Sequence, residues 1–317
     1  MLRSLLLSDQ RAPVWVEGTA AVTGPGPDER LWVDVEAPGP EELAWLRQRF
    51  DLHPVALEAC MLADQRPKLE EYPSQLFLVL HRLSHDHDEA GVRELHAFLG
   101  DRYLITVHAD SLADIQAVSQ RLVTEPALAA RGLVHALYLL CERIATANFE
   151  ALDYLFEQIE AIEDSVLKQE DKDALPELFA AKRRLARARR LVAPQRDVIS
   201  LLLEAGPPFI DDRARPYFRR VLEVLLRMAE ALDTQREILS NVLDAHLSIV
   251  SNRTNAIMKS LTLLSAIFLP LSFVTGFFGQ NFTHLPFDNV WLMWLGLGVC
   301  AATPLGMVLW FRSRKWL

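Results

Sequence analysis

Hydrophobic positions are spaced in three different ways along this chain, and each spacing predicts a different kind of structure. Up to about residue 110 the pattern is mixed. Short β-rich runs at 31–35, 76–83 and 103–107 alternate with helical stretches at 41–50 and 54–62. Gly100 and Asp101 separate the runs 94–99 and 103–107, as a hairpin turn would. This front part is expected to fold as a compact α/β domain around a half-buried sheet. From Ser111 onward the strand signal gives way to helical periodicity. Within 133–167, Phe149, Leu152, Leu155, Phe156, Ile159 and Ile162 fall on one apolar face with charges opposite. Pro176 can open a second helix, and Gly206-Pro207-Pro208 ends it. Its strongly basic stretch, 182–190, reads as a solvated face or as a partner for the acidic segment 157–173.

A third helical stretch starts near Pro216 and meets no stop until 276–279. Sixty residues of α-helix measure about 90 Å, roughly three times a bilayer's apolar thickness. Much of it must therefore project beyond a membrane. Residues 261–278 and 290–311 carry no charged side chain, and each approaches the roughly 20 apolar residues that a transmembrane helix needs. Two buried helices of a soluble protein share that composition, but the flanks decide between them. Arg253 and Lys259 precede the first span, Arg312, Arg314 and Lys315 follow the second, and 280–289 holds no Lys or Arg. By the positive-inside rule both termini are cytoplasmic and the short loop lies outside. Trp291, Trp294, Trp310 and Trp316 sit where membrane-belt aromatics sit. The expected division is a cytoplasmic α/β domain at 1–125, a helical stalk at 126–255 and a transmembrane hairpin at 256–317. The hairpin's spans are placed at about 256–279 and 290–311, with the loop 280–289 between them and a short basic tail after them. Pro270 should bend the first span or free a carbonyl.

One line of small and oxygen-bearing side chains runs along the third helix into the first span. It comprises Asp244, Ser248, Ser251, Asn255, Met258, Thr262, Ser265, Leu269, Ser272, Gly276 and Gly279, at alternating steps of four and three. A polar seam on a helix that enters a bilayer either meets other helices through small residues or lines a route for ions. Ser265, Ser272 and Gly276 alone fit both readings. Asp244 and Asn255 on the same line, before the membrane, favour the ion path. Two helices cannot enclose a pore, so such a path requires several copies around an axis, a homo-oligomer of cyclic symmetry.

Composition narrows the chemistry. Net charge is -9, which argues against a nucleic-acid binder. Cys60, Cys141 and Cys300 are scattered without metal-ligand spacing, and suit a reducing compartment. The apolar cluster at 5–7 is too short for a signal-peptide core. No phosphate-binding loop or catalytic constellation is visible, and His53, His81, His96 and His108 read as structural, so a non-enzyme without a cofactor is expected. The polar loop His85-Asp86-His87-Asp88-Glu89 reads as a solvated hairpin tip rather than a metal site. Apart from the sulfur of Met258, the seam offers only oxygen and amide ligands. Those suit hard, hydrated cations such as Mg²⁺. Asn281, Asp244 and Asn255 are the candidate cation-contacting positions, and Met258, Leu261 and Leu269 the candidate apolar constrictions.

Several runs in one order carry a resemblance. They are Leu52-His53-Pro54 with Leu57-Glu58, the stretch from Arg66 to Pro73, Tyr103-Leu104-Ile105-Thr106, and residues 255–261. Ile267-Phe268-Leu269-Pro270-Leu271 and Thr275-Gly276-Phe277-Phe278-Gly279-Gln280-Asn281-Phe282 complete them. The chain resembles the CorA family of divalent-cation transporters, the two-transmembrane GxN group. The resemblance implies an α+β membrane protein of the bacterial inner membrane, a homopentameric funnel with a cytoplasmic α/β domain, long stalk helices and a two-helix hairpin. It implies that Gly279, Gln280 and Asn281 form the external selecting ring, and that Asp244, Asn255, Leu261, Leu269 and Ser272 line the conduit. The family's usual GMN triplet reads Gly279-Gln280-Asn281 here, and the outer loop 283–289 holds one acid. Both features drift toward the zinc-transporting ZntB branch. Three readings follow: a gated channel for hydrated Mg²⁺ with Co²⁺ or Ni²⁺ as lesser substrates, a zinc transporter with or without proton coupling, or a non-conducting membrane-anchored sensor.

Overall fold

The computed structural model describes residues 1–8, 11–18, 29–62, 64–83, 91–168, 174–205, 209–280, 289–314 and 316. The chain divides into two compact units, Met1–Leu243 and Asp244–Leu317. The first unit is built on a seven-stranded sheet. Its strands are β1 (Leu2–Ser8), β2 (Arg11–Glu17), β3 (Glu29–Glu36), β4 (Lys68–Tyr72), β5 (Gln75–Leu83), β6 (Val92–Gly100) and β7 (Tyr103–His108), in the order β2-β1-β3-β7-β6-β5-β4. Only β3 and β7 pair in parallel. The hairpin expected at Gly100-Asp101 joins β6 to β7. Strands β1, β2 and β4 were not foreseen. The apolar cluster at 5–7 is the middle of β1, with Leu5 and Leu7 buried. Strand β4, Lys68-Leu69-Glu70-Glu71-Tyr72, sits on the sheet edge, where charged side chains are tolerated and hydrophobic alternation is weak.

The sheet is covered on both faces, which explains the continuous apolar run in β5. Leu76, Leu78 and Leu80 point to one core while Phe77 and Val79 point to the other, since strand side chains alternate. The second face carries α1 (Pro40–Phe50) and α2 (Pro54–Ala59), through Leu43, Leu46, Phe50 and Leu57. Residues 60–62, expected to prolong α2, instead form a turn in which the Cys60 amide bonds the Leu57 carbonyl. On the first face lie α3 (Ala113–Thr124), the short α4 (Pro126–Ala129), α5 (Leu133–Lys168) and α6 (Ala174–Ala205). Leu152, Leu155 and Ile159 of α5 are buried as the periodicity predicts, whereas Phe149 stays exposed. Pro176 falls in the first turn of α6, where its missing N–H costs nothing. The residues 84–90 and 206–208 lie outside the described residues, and with them the His85–Glu89 loop and the helix stop.

Two polar networks fix the sheet. Asp34 on β3 is fully buried and accepts hydrogen bonds from the Thr106 hydroxyl at 2.6 Å and from Arg3 at 2.7 Å. His108 Nε2 lies 3.1 Å from the same carboxylate, and Trp32 donates to Thr106. These bonds tie β1, β3 and β7 in one register. Burial alone would raise the Asp34 pKa, but His108, Thr106 and Arg3 outweigh it and hold the carboxyl below its ordinary value. Burial opposes protonation of His108, yet Asp34 raises its pKa above the usual imidazole value. At the other edge β4 pairs only with residues 75–79 of β5, which leaves the end of β5 to be satisfied by helices. Asn148 of α5 donates to the His81 carbonyl at 2.8 Å and accepts from the Leu83 amide at 2.7 Å, while Gln195 of α6 accepts from the His81 amide. Burial lowers the pKa of His81 below the usual imidazole value. His81 and His108 thus serve the sheet.

Helix α7 (Arg215–Gly279) begins in the first unit. Phe218, Val221, Leu225, Met228, Leu232, Leu239 and Val242 lie at helical spacing and are buried in the same core. After Val242 no residue of α7 is buried.

Candidate functional site

The second unit contains the rest of α7 and α8 (Val290–Ser313). Between Lys259 and Gly279 no side chain is charged. Twenty residues at 1.5 Å each measure about 30 Å, the thickness of a bilayer's apolar core. In the most apolar eighteen-residue window of α7 no residue is buried, and Leu269 and Phe273 are 77% and 74% exposed. Helix α8 starts at Asn289, whose side chain caps it by accepting from the Trp291 amide at 3.0 Å. At its far end Phe311 stacks on Trp316, and the Arg314 guanidinium lies 6.0 Å from the Trp310 ring. A groove of about 500 Å³ at this end is lined by Met258, Lys259, Thr262, Arg314 and Trp316.

The two helices use defined faces. On α7 the half-buried residues of the apolar span are Leu263, Ala266, Ile267, Pro270, Leu271, Val274 and Phe278. On α8 the shielded residues are Leu292, Gly296, Cys300, Thr303, Pro304, Met307 and Phe311. Both sets recur at steps of three and four, so each is one helix face. The helices pack tightly at Gly296, where a methyl group would lie 3.3 Å from the Phe278 ring. This α8 stripe was missed in the sequence because nearly every α8 residue is apolar, which leaves no contrast to read.

The seam lies on a different side of α7. Thr262, Ser265, Leu269, Ser272, Gly276 and Gly279 are all exposed, and so are Asp244, Ser248, Ser251, Asn255 and Met258 before them. At about 100° per residue the centre of this line stands well over 100° from the centre of the covered face. Leu261 is adjacent to Thr262 and therefore about 100° from it, which puts Leu261 at the seam's margin. Ser248, Ser251, Asn255, Ser265 and Ser272 make no side-chain hydrogen bond among the described residues, so their oxygens are available. Thr262 donates to the Met258 carbonyl at 2.8 Å, which leaves its lone pairs free. A methyl group added at Gly276 or Gly279 would meet nothing within 4 Å. Gln280 follows in a turn, and Asn281 lies outside the described residues. Among the described residues no group of three or more His, Cys, Asp or Glu is placed to hold a metal ion. Any cation handled by one copy would meet single oxygens spaced along a helix.

Ten steps carry the seam from Asp244 to Gly279, a mean of about 3.5 residues against 3.6 per helical turn. On a straight helix the line therefore drifts by about 20° per seven residues. Helices that kept it facing one axis would coil around each other left-handedly.

The family profile described as CorA-like Mg²⁺ transporter protein matches residues 28–314. The chain belongs to that family. The cobalt/magnesium transport protein CorA of Thermotoga maritima is 30% identical over 277 residues, covering 84% of this chain and 78% of that protein. The zinc transport protein ZntB of Yersinia enterocolitica is 24% identical and covers 99% of this chain and 98% of its own length. The solved structure of the CorA magnesium transporter from Methanocaldococcus jannaschii matches with a TM-score of 0.83 at 23% identity, covering 99% of this chain and 98% of that one. The expected α+β membrane architecture, with a soluble sheet domain, a long helix and a C-terminal apolar hairpin, is the fold of this CorA-family member.

Proposed function

We propose that the protein conducts hydrated divalent cations, Mg²⁺ foremost, through a central path that several copies, five by family resemblance, build from the seam of α7. One observation carries the reading. Helix α8 covers the Leu263–Phe278 side of α7 and leaves the polar seam uncovered, so the seam is free to meet the seams of other copies. Rings of Ser265, Ser272, Gly276 and, at the mouth, Gly279, Gln280 and Asn281 would present hydroxyl and amide oxygens to a hydration shell. Such neutral ligands suit an ion that dehydrates reluctantly. Met258 and Leu269 would be the apolar narrowings at which dewetting closes the path, with Leu261 at their edge. Asp244 and Asn255 would concentrate cations at the cytoplasmic end of the path. Both termini lie in the cytoplasm, with 1–125 and 126–255 as its sheet and stalk portions. The membrane potential drives entry without a nucleotide: a divalent ion crossing 100 mV gains about 4.6 kcal/mol. The protein acts as a conduit and performs no catalysis.

A second reading keeps the path and changes the ion to Zn²⁺. Gln280 supports it, since a carboxamide occupies the middle of the triplet where the family's usual residue is methionine. Uptake by the purified protein in vesicles separates the two, with Mg²⁺ or Zn²⁺ outside and with or without a pH gradient. The Mg²⁺ reading expects Mg²⁺ entry that is independent of the gradient and abolished by Asn281→Ala with assembly intact. Unchanged uptake in that variant would leave a non-conducting sensor as the better description.

A further inference from the structure

We propose that the first unit carries a binding site for a small polyphosphorylated anion, in a groove between α6, α7 and the segment entering β4. The inference is independent of ion conduction. The groove encloses about 690 Å³, and five of its lining residues are cations: Arg66, Lys182, Arg189, Arg190 and Arg236. Its floor is apolar, formed in part by the buried Leu185 and Leu232. That volume falls within the range of small-molecule sites.

A solvated helix face does not explain the arrangement. Residues 178–196 of α6 hold seven Lys or Arg and no carboxylate, within a chain whose net charge is -9. The helix is pinned by Leu178, Ala181, Leu185, Ala188 and Val192, which are buried in the core. Arg66 and Arg236 come from distant parts of the sequence, so three elements deliver cations to one concavity. Among the described residues Arg184 meets α5 through the neutral Gln158, at 2.7 Å. Asp233 is, among the described residues, the one carboxylate paired with any of the five cations, binding Arg189 at 3.1 Å. Among the described residues Arg66, Lys182, Arg190 and Arg236 have no ion-pair partner. A second groove, of about 390 Å³, shares Lys182 and Arg190 and adds Arg183 and Arg187. Positive charge is therefore continuous across both.

Converging guanidinium groups repel one another unless an anion lies between them, and their planar donors match phosphate oxygens two at a time. The enclosed size excludes a nucleic-acid duplex and suits two or three linked phosphates, with the apolar floor available to a base. A free polyphosphate and a nucleoside triphosphate share this chemistry.

Calorimetric titration of the full chain in detergent micelles tests the site, in magnesium-free buffer so that cation transport plays no part. Tripolyphosphate, ATP and adenosine are the probes. Saturable binding of one tripolyphosphate per chain, competed by ATP, indicates a site for the phosphates alone; binding of ATP only indicates a nucleotide site. Adenosine should not bind. The double variant Arg190→Ala/Arg236→Ala should bind at least about tenfold more weakly, Arg190→Lys/Arg236→Lys at an intermediate level, and the α1 surface variant Arg47→Ala as the parent. Should the double alanine variant fold poorly, the parent's affinity must still fall steeply as salt is raised. No saturable binding at millimolar concentrations, or parental affinity in a folded double alanine variant, would overturn the proposal. So would an enlarged oligomer that the double variant abolishes without any anion bound, since that marks a surface for a second copy.

Discussion

The two halves of α7 follow opposite rules with much the same residue types. From Phe218 to Val242 large apolar side chains are buried at helical spacing. From Leu261 to Phe277 side chains of equal size, Leu261, Leu264, Phe268, Leu269, Phe273 and Phe277, are exposed, and Ser265, Ser272 and Gly276 are exposed beside them. In the first half the chain supplies its own solvent-excluding partner. In the second half it supplies one, α8, for one face only. An apolar face left open needs lipid, and a polar face left open within that span needs either water or another polar face. The difference teaches that the first half of α7 is a matter of stability and the second a matter of assembly.

Substitutions sharpen that contrast, the largest effect first. Phe218→Ala removes a fully buried ring and should destabilise the first unit by about 3–5 kcal/mol. Leu269→Ala, by contrast, should leave denaturant unfolding of that unit unchanged and alter metal uptake. Equal destabilisation by the two would erase the distinction. Asp34→Ala strips the partner from a buried cation pair, at a cost of about 3–5 kcal/mol.

The pH dependence of that network has a defined sign. Asp34 is depressed in the fold, so its contribution is present above the unfolded carboxylate pKa of about 3.9 and is lost as pH falls through the folded value. His108 is raised, so its contribution is complete below about 6.5 and is lost as pH rises through its folded value. Thermal melts should thus show the network's contribution greatest between about pH 4 and 6.5. His108→Gln should flatten the alkaline side of that maximum; an unchanged profile would remove the pair from the stability balance.

Smaller effects are expected in the hairpin. Gly296→Leu collides with Phe278 and should loosen the packing by about 1–3 kcal/mol, while Gly298→Leu, two residues away in open space, should be tolerated. Equal tolerance of both in a thermal assay of the membrane-inserted protein would argue against the covered face described here.

Much of this was legible in the sequence, for reasons that differ by region. The long helix and the hairpin stand out because charge is absent from 261–278 and 290–311 and concentrated at their flanks. The seam stands out because its residue types contrast with a leucine-rich background. Strand β4 was hidden by its charges, and β1 because only its centre, 5–7, reads as an apolar cluster beside Arg3, Ser4 and Ser8. The packing face of α8 was hidden by uniform apolarity. The cationic groove could not be read at all, because Arg66 and Arg236 meet α6 only through the fold. Whether the seam faces an axis is set by neighbouring copies, which a single chain's residues do not specify.

Cysteine scanning along α7, in protein whose Cys60, Cys141 and Cys300 are replaced by serine, tests that orientation most directly. A water-soluble thiol reagent should block metal uptake at positions 262, 265, 269, 272 and 276 and spare 263, 267, 271 and 274. Block on the 263–274 set, or protection of every position while uptake continues, would contradict a water-filled path along the seam.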